Sequence, residues 1–512
     1  MNSQLDVNNF PPIEVVAEII KAGLTAFVPE LCLSVLFLTL VLADAIIRQR
    51  SAVIPVIALI GLVVTGVFVA QQHTLPSEQT FFGMLAIDPF AIFFKYLFLG
   101  AGVLAILISM DSEELNKPET RSLGEYYAIL IAMVLGMFLM ASATDLLMMY
   151  LSLELVSISS YILTGYLKGQ VRSSEAGLKY IIYGAVSSGL MIYGISILYG
   201  LTGQTNIFAI NAFLTASSTD SVVLLLAGLL IMGGFGYKIG AVPFHFWSPD
   251  VYEGAPTPVS AFLSVGSKAA GFAMLIRFFR VAIPDAPKDT IALDWVGMLA
   301  AIALASMVIG NFTAIWQSSV KRLLAYSSIA HAGYLLLGVL VADNLGTQAV
   351  LFYLMAYTVM NVGAFFVTVL IANKIGSDDV NDYKGLGKRM PLAAAALTIF
   401  LISLTGLPPT VGFIGKYMIF ASLVGKGTIF LGLAIIGVLT SVVSLYFYFK
   451  IPLYMYLKES ESGNTSEINF GVLSNALVAF LAVITVVMGL FFSPLATFAK
   501  QSVSILGAAL LR

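Results

Sequence analysis

Apolar runs of about membrane-spanning length follow one another almost without pause along this chain, near residues 25–47, 52–72, 84–109, 126–142, 144–167, 176–201, 221–252, 258–280, 292–316, 321–341, 347–373, 392–424, 428–456 and 470–495. A helix of that length crosses a hydrocarbon layer roughly 30 Å thick. In lipid, helices and closed barrels alone satisfy every backbone N–H and C=O internally. The expected fold is therefore an all-α polytopic membrane protein with about 14 transmembrane helices. Only 11% of the 512 residues are charged, against roughly 25% in an ordinary soluble domain. Each charge inside a run therefore needs a reason.

The stretch GYKIGAVPFHFWSPDVYEGAPTPVSAFLSVGSKAAG, 236–271, sets Lys238 and Lys268 in apolar surroundings and interrupts the backbone between them with Pro243, Pro249, Pro256 and Pro258. Pro243 removes a backbone donor and breaks the helix. Lys268 stands about 15 Å along the helix that starts at Pro258, near mid-membrane. A lysine at that depth costs about 2.5–3.5 kcal/mol on insertion scales, so both are expected to face protein or water. LTGLPPTVGFIGKYM repeats the pattern, with Pro408 and Pro409 in mid-run and Lys416 beyond them.

These broken segments are the seventh and twelfth spans, so they enter the membrane in opposite directions. Broken helices at corresponding positions of two oppositely oriented units mark inverted repeats with ion sites beside the breaks. The expected division is 1–125 with helices 1–3, 126–285 and 286–456 as the two five-helix repeats, and 457–512 as the last helix and tail. The Lys and Arg of alternate loops are unequal: Arg48, Arg50, Lys117, Arg121, Lys168, Arg172, Lys179, Lys321, Arg322, Lys374, Lys384, Lys388, Arg389, Lys450 and Lys458 share one face. Lys21, Arg277, Arg280, Lys288, Lys426, Lys500 and Arg512 share the other. The richer face is expected to be cytoplasmic. Acidic Asp6, Glu14 and Glu18 near the N-terminus argue against a removable leader.

Glu154, in DLLMMYLSLELVSISSYIL, lies about 15 Å into its span, at the depth of the lysines. A mid-membrane carboxylate near buried lysines points to a proton or ion path, and a movable Glu154–Lys238 pair can switch a site's proton affinity. The competing reading is a structural ion pair. His331 in AYSSIAHAGYLLLG can relay protons between Lys268 and Lys416 or be a hydrogen-bonded core residue. Lys416 is a relay or a cap on the broken helix. Lys95, near Asp88, suits snorkelling or a local pair. Ser157, Ser159, Ser160 and Tyr161 suit a hydrated path or interhelical bonds. GFGYKIG lacks the dinucleotide-binding spacing and reads as a packing feature.

One cysteine, Cys32, and three histidines, His73, His245 and His331, leave too few ligands for thiolate zinc, iron–sulfur clusters or haem. A net charge of -2 and the lack of a basic patch argue against nucleic acid as a partner.

KIGAVPFHFWSPDVYEGAPTPVSAFLSVGSKAAG, SSVKRLLAYSSIAHAGYLLLG and LTGLPPTVGFIGKYMIF resemble the antiporter-like subunits of complex I. SPDVYEGAPTPVSAFLSVGSK and TSVVSLYFYFKI are similar to subunit 2 of the NAD(P)H-plastoquinone oxidoreductase of cyanobacteria and chloroplasts. The resemblance implies two inverted five-helix repeats and a charged axis of Glu154, Lys238, Lys268 and Lys416, with the lysine at the last position marking the subunit 2 type. It also implies that protons move here while quinone is reduced elsewhere. No cofactor would belong to this chain; NAD(P)H or ferredoxin, iron–sulfur clusters and plastoquinone would belong to the whole complex. The implied partners are other antiporter-like membrane-arm subunits, hydrophilic-arm subunits and lipid, in a cyanobacterial thylakoid membrane. A subunit of a multisubunit cation/proton antiporter and a membrane scaffold are the alternatives.

Overall fold

The computed structural model describes residues 12–47, 52–116, 123–217, 221–283, 295–459 and 466–503. Asp6, Arg48, Arg50, Lys117, Arg121, Lys288, Arg512 and the repeat boundary near 285 lie outside the described residues.

The N-terminal part comprises α1 (Ile13–Ala26), α2 (Val28–Ile46), α3 (Val53–Gln72), the antiparallel hairpin β1 (Glu78–Thr80) and β2 (Leu85–Ile87), and α4 (Pro89–Asp111). Next come α5 (Gly124–Ser142), α6 (Leu146–Thr164), α7 (Val171–Thr202), α8 (Ile207–Ala216), α9 (Ser221–Ile239), α10 (Trp247–Gly254), α11 (Thr257–Phe262) and α12 (Lys268–Val281). A π-helical turn, Leu263–Ser267, joins α11 to α12 in one continuous rod. Then come α13 (Trp295–Ala314), α14 (Val320–Leu340), α15 (Asn344–Ile375), the short α16 (Leu386–Arg389), α17 (Pro391–Thr405), α18 (Val411–Leu423), α19 (Thr428–Leu457), α20 (Val472–Leu490) and α21 (Ser493–Val503). Among the described residues, thirteen segments are long and apolar enough to span a membrane. Taken together, α17 and α18 make the fourteenth.

Helix ends follow local chemistry. Asp88, Asp145, Asn206, Ser319 and Asp343 accept hydrogen bonds from first-turn N–H groups of α4, α6, α8, α14 and α15, satisfying donors that have no intrahelical partner. The hairpin and α1 depart from the run pattern. The expected span at 84–109 starts only at Pro89, because Asp88 caps a helix there and residues 85–87 pair with 78–80 as strand.

Both expected breaks are present. α9 stops at Ile239 before Gly240, whose φ is +71°, and α17 stops at Thr405 before Gly406, at +89°. Backbone groups freed by a break inside a membrane must find partners within the protein. At the first, Trp247 Nε1 donates to Tyr237 O and Val242 N–H donates to Ser306 Oγ. At the second, Gly412 N–H donates to Ser403 Oγ, while Lys416 Nζ and Ser441 Oγ both donate to Thr405 O.

The α11–α12 rod is buried along its length, and α14 and α15 nearly so. α2, α3, α7 and α19 present exposed Leu, Val, Ile and Tyr outward, as lipid-facing surfaces should. Loops of one end interlock: Asn373 donates to Asp111 O, Thr257 N–H to Glu114, and Lys450 to Gln317 O. The opposite end holds Asp343 with Lys426 and Arg280 with Thr347. Alternate loops thus lie at opposite ends, as the distribution of Lys and Arg requires, with one correction. Arg277, assigned from sequence to a loop, lies inside α12 at 0% exposure.

Candidate functional site

Glu154, Ser157 and Tyr161 are three and four residues apart on α6 and so share one face. That face meets α9. Tyr237 Oη donates to Tyr161 Oη at 3.4 Å, and Lys238 Nζ donates to Ser157 Oγ at 3.1 Å. α7 comes close enough only because residue 184 is glycine, since a Cβ there would collide with the hydroxyls of Tyr161 and Tyr237. The expected Glu154–Lys238 pair is not a direct contact: no ion pair joins them within 4.0 Å. The carboxylate stays within electrostatic reach of Lys238, while Ser157, one turn further along α6, takes the ammonium hydrogen bond. Glu154 Oε1 is buried and has no hydrogen-bond partner.

Gly271 of α12 brings that helix against the stem of Lys238, with room for no more than a hydrogen on the facing side. Lys268 is one turn away, where the π-helical turn hands over to α12. Its Nζ donates to the carbonyl and hydroxyl of Ser328 on α14 and lies 5.9 Å from the Tyr357 ring centroid. A π-helical turn changes the angular register of the helix beyond it, and here it falls immediately before the lysine.

His331, one turn along α14 from Ser328, is held at both ring nitrogens. Nδ1 shares a 2.6 Å hydrogen bond with Tyr353 Oη, and Nε2 a 3.1 Å bond with Tyr448 Oη. Tyr448 Oη also hydrogen-bonds to Ser327. The His331 ring lies against Tyr357, whose face Lys268 approaches, and against Tyr334, whose face Lys416 approaches, so it stands between the two lysines. Lys416 Nζ donates to Thr405 O at 2.9 Å and Ser441 Oγ at 2.8 Å and lies 4.7 Å from the Tyr334 ring centroid. Thr405 O ends the first half of the broken helix, so Lys416 caps it. Tyr334, beside His331, donates to Thr440 Oγ1 on α19. Glu154, Lys238, Lys268, His331 and Lys416 therefore fall in one row across α6, α9, α12, α14 and α18, in which each lysine and the histidine is bonded to at least one hydroxyl.

Among the described residues, two buried Lys or Arg side chains inside the spans stand off this row, and a third, Lys321, lies in the first turn of α14 and donates to Ala255 O and Thr257 Oγ1. Lys95 neither snorkels nor pairs with Asp88: its Nζ meets Glu30 Oε1 of α2 at 2.6 Å and donates to Gln72 Oε1 at 3.0 Å. Asp88 is taken by Arg277, whose Nη1 and Nη2 reach its two oxygens at 2.7 and 2.9 Å while Nε donates to Ala141 O. Glu30 and Arg277 are the charged residues that sequence reasoning missed as intramembrane groups. The signal was present, since PELCLSVL opens an apolar run and AMLIRFFRV places Arg277 inside one. Ser328, Tyr353, Tyr448 and Ser441 carried no such signal, because each becomes a partner only by helix packing. Of the serine cluster, Ser157 bonds between helices and Ser160 turns back to Val156 O. The glycines of GFGYKIG do pack closely, Gly234 on Met191 and Gly236 on Phe244.

Fourteen spans among the described residues, two of them broken, with a lysine beside each break and a polar row between, define a polytopic membrane protein of the antiporter-like class. The family model "NADH:quinone oxidoreductase/Mrp antiporter, TM" matches residues 143–444. NADH-quinone oxidoreductase subunit N 2 of Chloroherpeton thalassium is 69% identical over 495 residues, covering 96% of this chain and 97% of that one. Subunit N of Chlorobium chlorochromatii is 55% identical over 506 residues, covering 97% and 98%. A chain of respiratory complex I from Thermus thermophilus superposes with TM-score 0.74 at 30% identity, over 92% of this chain and 99% of its own. A chain of the Mrp complex from a Dietzia species gives 0.79 at 20% identity, over 95% and 98%, a likeness of fold alone. The chain belongs to this antiporter-like family, and within it to the subunit N type of complex I.

Proposed function

We propose that this chain carries protons across the membrane arm of a translocase of the NADH-quinone oxidoreductase type, driven by quinone reduction in other subunits. Its relatives bear that name. The reading assigns proton transfer to Glu154, Lys238, Lys268, His331 and Lys416, and takes 126–285 and 286–456 as the inverted repeats that house the two halves of the path. Membrane-arm and hydrophilic-arm subunits are the partners. NAD(P)H or ferredoxin, iron–sulfur clusters and quinone belong to them. Similarity of the 250–267 wording to the plastoquinone enzymes is the basis for the finer proposal of plastoquinone and a cyanobacterial thylakoid membrane; mass spectrometry of the quinone extracted with the complex tests it.

One contrast carries the reading. Among the described residues, the buried lysine and arginine off the row and inside the spans, Lys95 and Arg277, each hold a carboxylate within 4.0 Å, whereas Lys238, Lys268 and Lys416 hold none; Lys321, bonded to Ala255 O and Thr257 Oγ1, lies in the first turn of α14 at the end of its span. The row lysines are bonded to hydroxyls and carbonyls instead. A lysine so held keeps its geometry when it gives up a proton, because an amine still donates to the same oxygens. An ion-paired base loses its partner's attraction when it does so, and arginine does not deprotonate.

The test is proton uptake per quinone reduced in assembled complexes carrying Lys238→Met, Lys268→Met or Lys416→Met. Each is expected to assemble and to pump less. Normal pumping with poor assembly in Lys416→Met would leave it as a helix cap only. Orientation follows the same proposal: the basic-rich end, including 374–391, faces the cytoplasm. A thiol introduced there that reacts only from the opposite side refutes it.

A further inference from the structure

A small cavity lies away from the row, between the α1–α2 junction, the hairpin and the first turns of α4. Ala26, Phe27, Glu30, Thr80, Lys95 and Ser142 contribute to its lining, and its volume is about 10 Å³. That is close to one water-sized sphere. Two of its polar atoms, Glu30 Oε2 and Ser142 Oγ, are buried and have no hydrogen-bond partner. Both side chains are deeply buried, Glu30 at 2% exposure. Lys95 Nζ has three donors, of which one meets Glu30 Oε1 and one Gln72 Oε1. The carboxylate and the ammonium cancel, so the cavity attracts no net ion. A molecule that both accepts and donates suits it: it can accept from Lys95 and donate to Glu30 Oε2 and Ser142 Oγ, within the two to four partners a buried water requires.

We propose that this cavity binds one water molecule, which joins the Glu30–Lys95 pair to Ser142 outside the Glu154-to-Lys416 row. The other charged or titratable groups nearby are Asp88 and Arg277, already locked together beside the Ala141 carbonyl, with Tyr96 and the His73 ring stacked on it. Ser142 follows Ala141 directly, so the water also ties the Glu30–Lys95 pair to the Asp88–Arg277 pair.

Cryo-electron microscopy of the intact complex, at a resolution that shows ordered waters, tests this. Density is expected within hydrogen-bonding distance of both Glu30 Oε2 and Ser142 Oγ, and is expected to be lost in Ser142→Ala. Absence of density in the wild type, or density that persists unchanged in Ser142→Ala, overturns the water site.

Discussion

Arg277→Met and Lys238→Met make opposite demands on the same protein. Arg277 is fully buried and gives three hydrogen bonds, two of them to Asp88. Removing one member of a buried pair costs about 3–5 kcal/mol, because the other is left as an uncompensated charge. Asp88 still accepts from Ala91 N–H at 2.7 Å as the cap of α4, and a helix N-terminus favours an anion, so the low end of that range applies. At 1.4 kcal/mol per tenfold, the folded-to-unfolded ratio falls by a factor of about one hundred. Lys238 gives one hydrogen bond, to Ser157, and such bonds contribute about 0.5–1.5 kcal/mol net. Methionine keeps the stem's packing, and Ser157 can turn to a carbonyl of its own helix. Lys238→Met is therefore expected to cost about 1 kcal/mol and to remove pumping, whereas Arg277→Met lowers stability and leaves pumping per assembled complex near normal. Thermal unfolding of the detergent-solubilised complex and proton uptake per quinone in proteoliposomes read the two quantities. Adding Asp88→Asn to Arg277→Met should recover most of the loss, as coupled neighbours do. Equal destabilisation by the two single changes, or normal pumping in Lys238→Met, would refute the distinction between paired and unpaired buried bases.

Three further outcomes are expected. Ser157→Ala removes the hydrogen-bond partner of Lys238 and should lower pumping with a stability change of about 1 kcal/mol, measured in the same two assays; unchanged pumping would remove Ser157 from the path. Gly412→Ala drives a methyl into the Ser403 carbonyl and should cost about 1–3 kcal/mol by forcing α17 and α18 apart, seen as a lower unfolding temperature. Burial raises the pKa of the Asp343 carboxyl, but the Gly346 N–H and the Lys426 ammonium at 2.7 Å outweigh it and hold the group below its ordinary value. A depressed carboxyl contributes stability above its unfolded value of about 3.9 and loses it as pH falls through the folded one. Amide-exchange protection of the first turn of α15 should accordingly fall in acid, and at higher pH in Lys426→Gln than in the wild type.

Much of the architecture is local information. Apolar runs of spanning length must be helices in lipid, and proline with glycine inside such a run must interrupt it. The broken seventh and twelfth spans, and Lys238, Lys268 and Lys416 as buried bases, follow from one-dimensional pattern. So does the depth of Glu154, because helical rise converts residue number into distance. Partner choice is a different quantity. It depends on which helix faces are brought together, and no local rule fixes that. The sequence placed Lys95 near Asp88, but packing gave Lys95 to Glu30 and Asp88 to Arg277, across separations of 65 and 189 residues. It suggested a Glu154–Lys238 pair, but packing put Ser157 against the ammonium. Tyr353 and Tyr448 meet His331 only because α15 and α19 close on α14. Helix formation is decided residue by residue through the backbone, whereas the identity of a buried charge's neighbour is decided by close packing of several helices at once, and only the tertiary structure contains that.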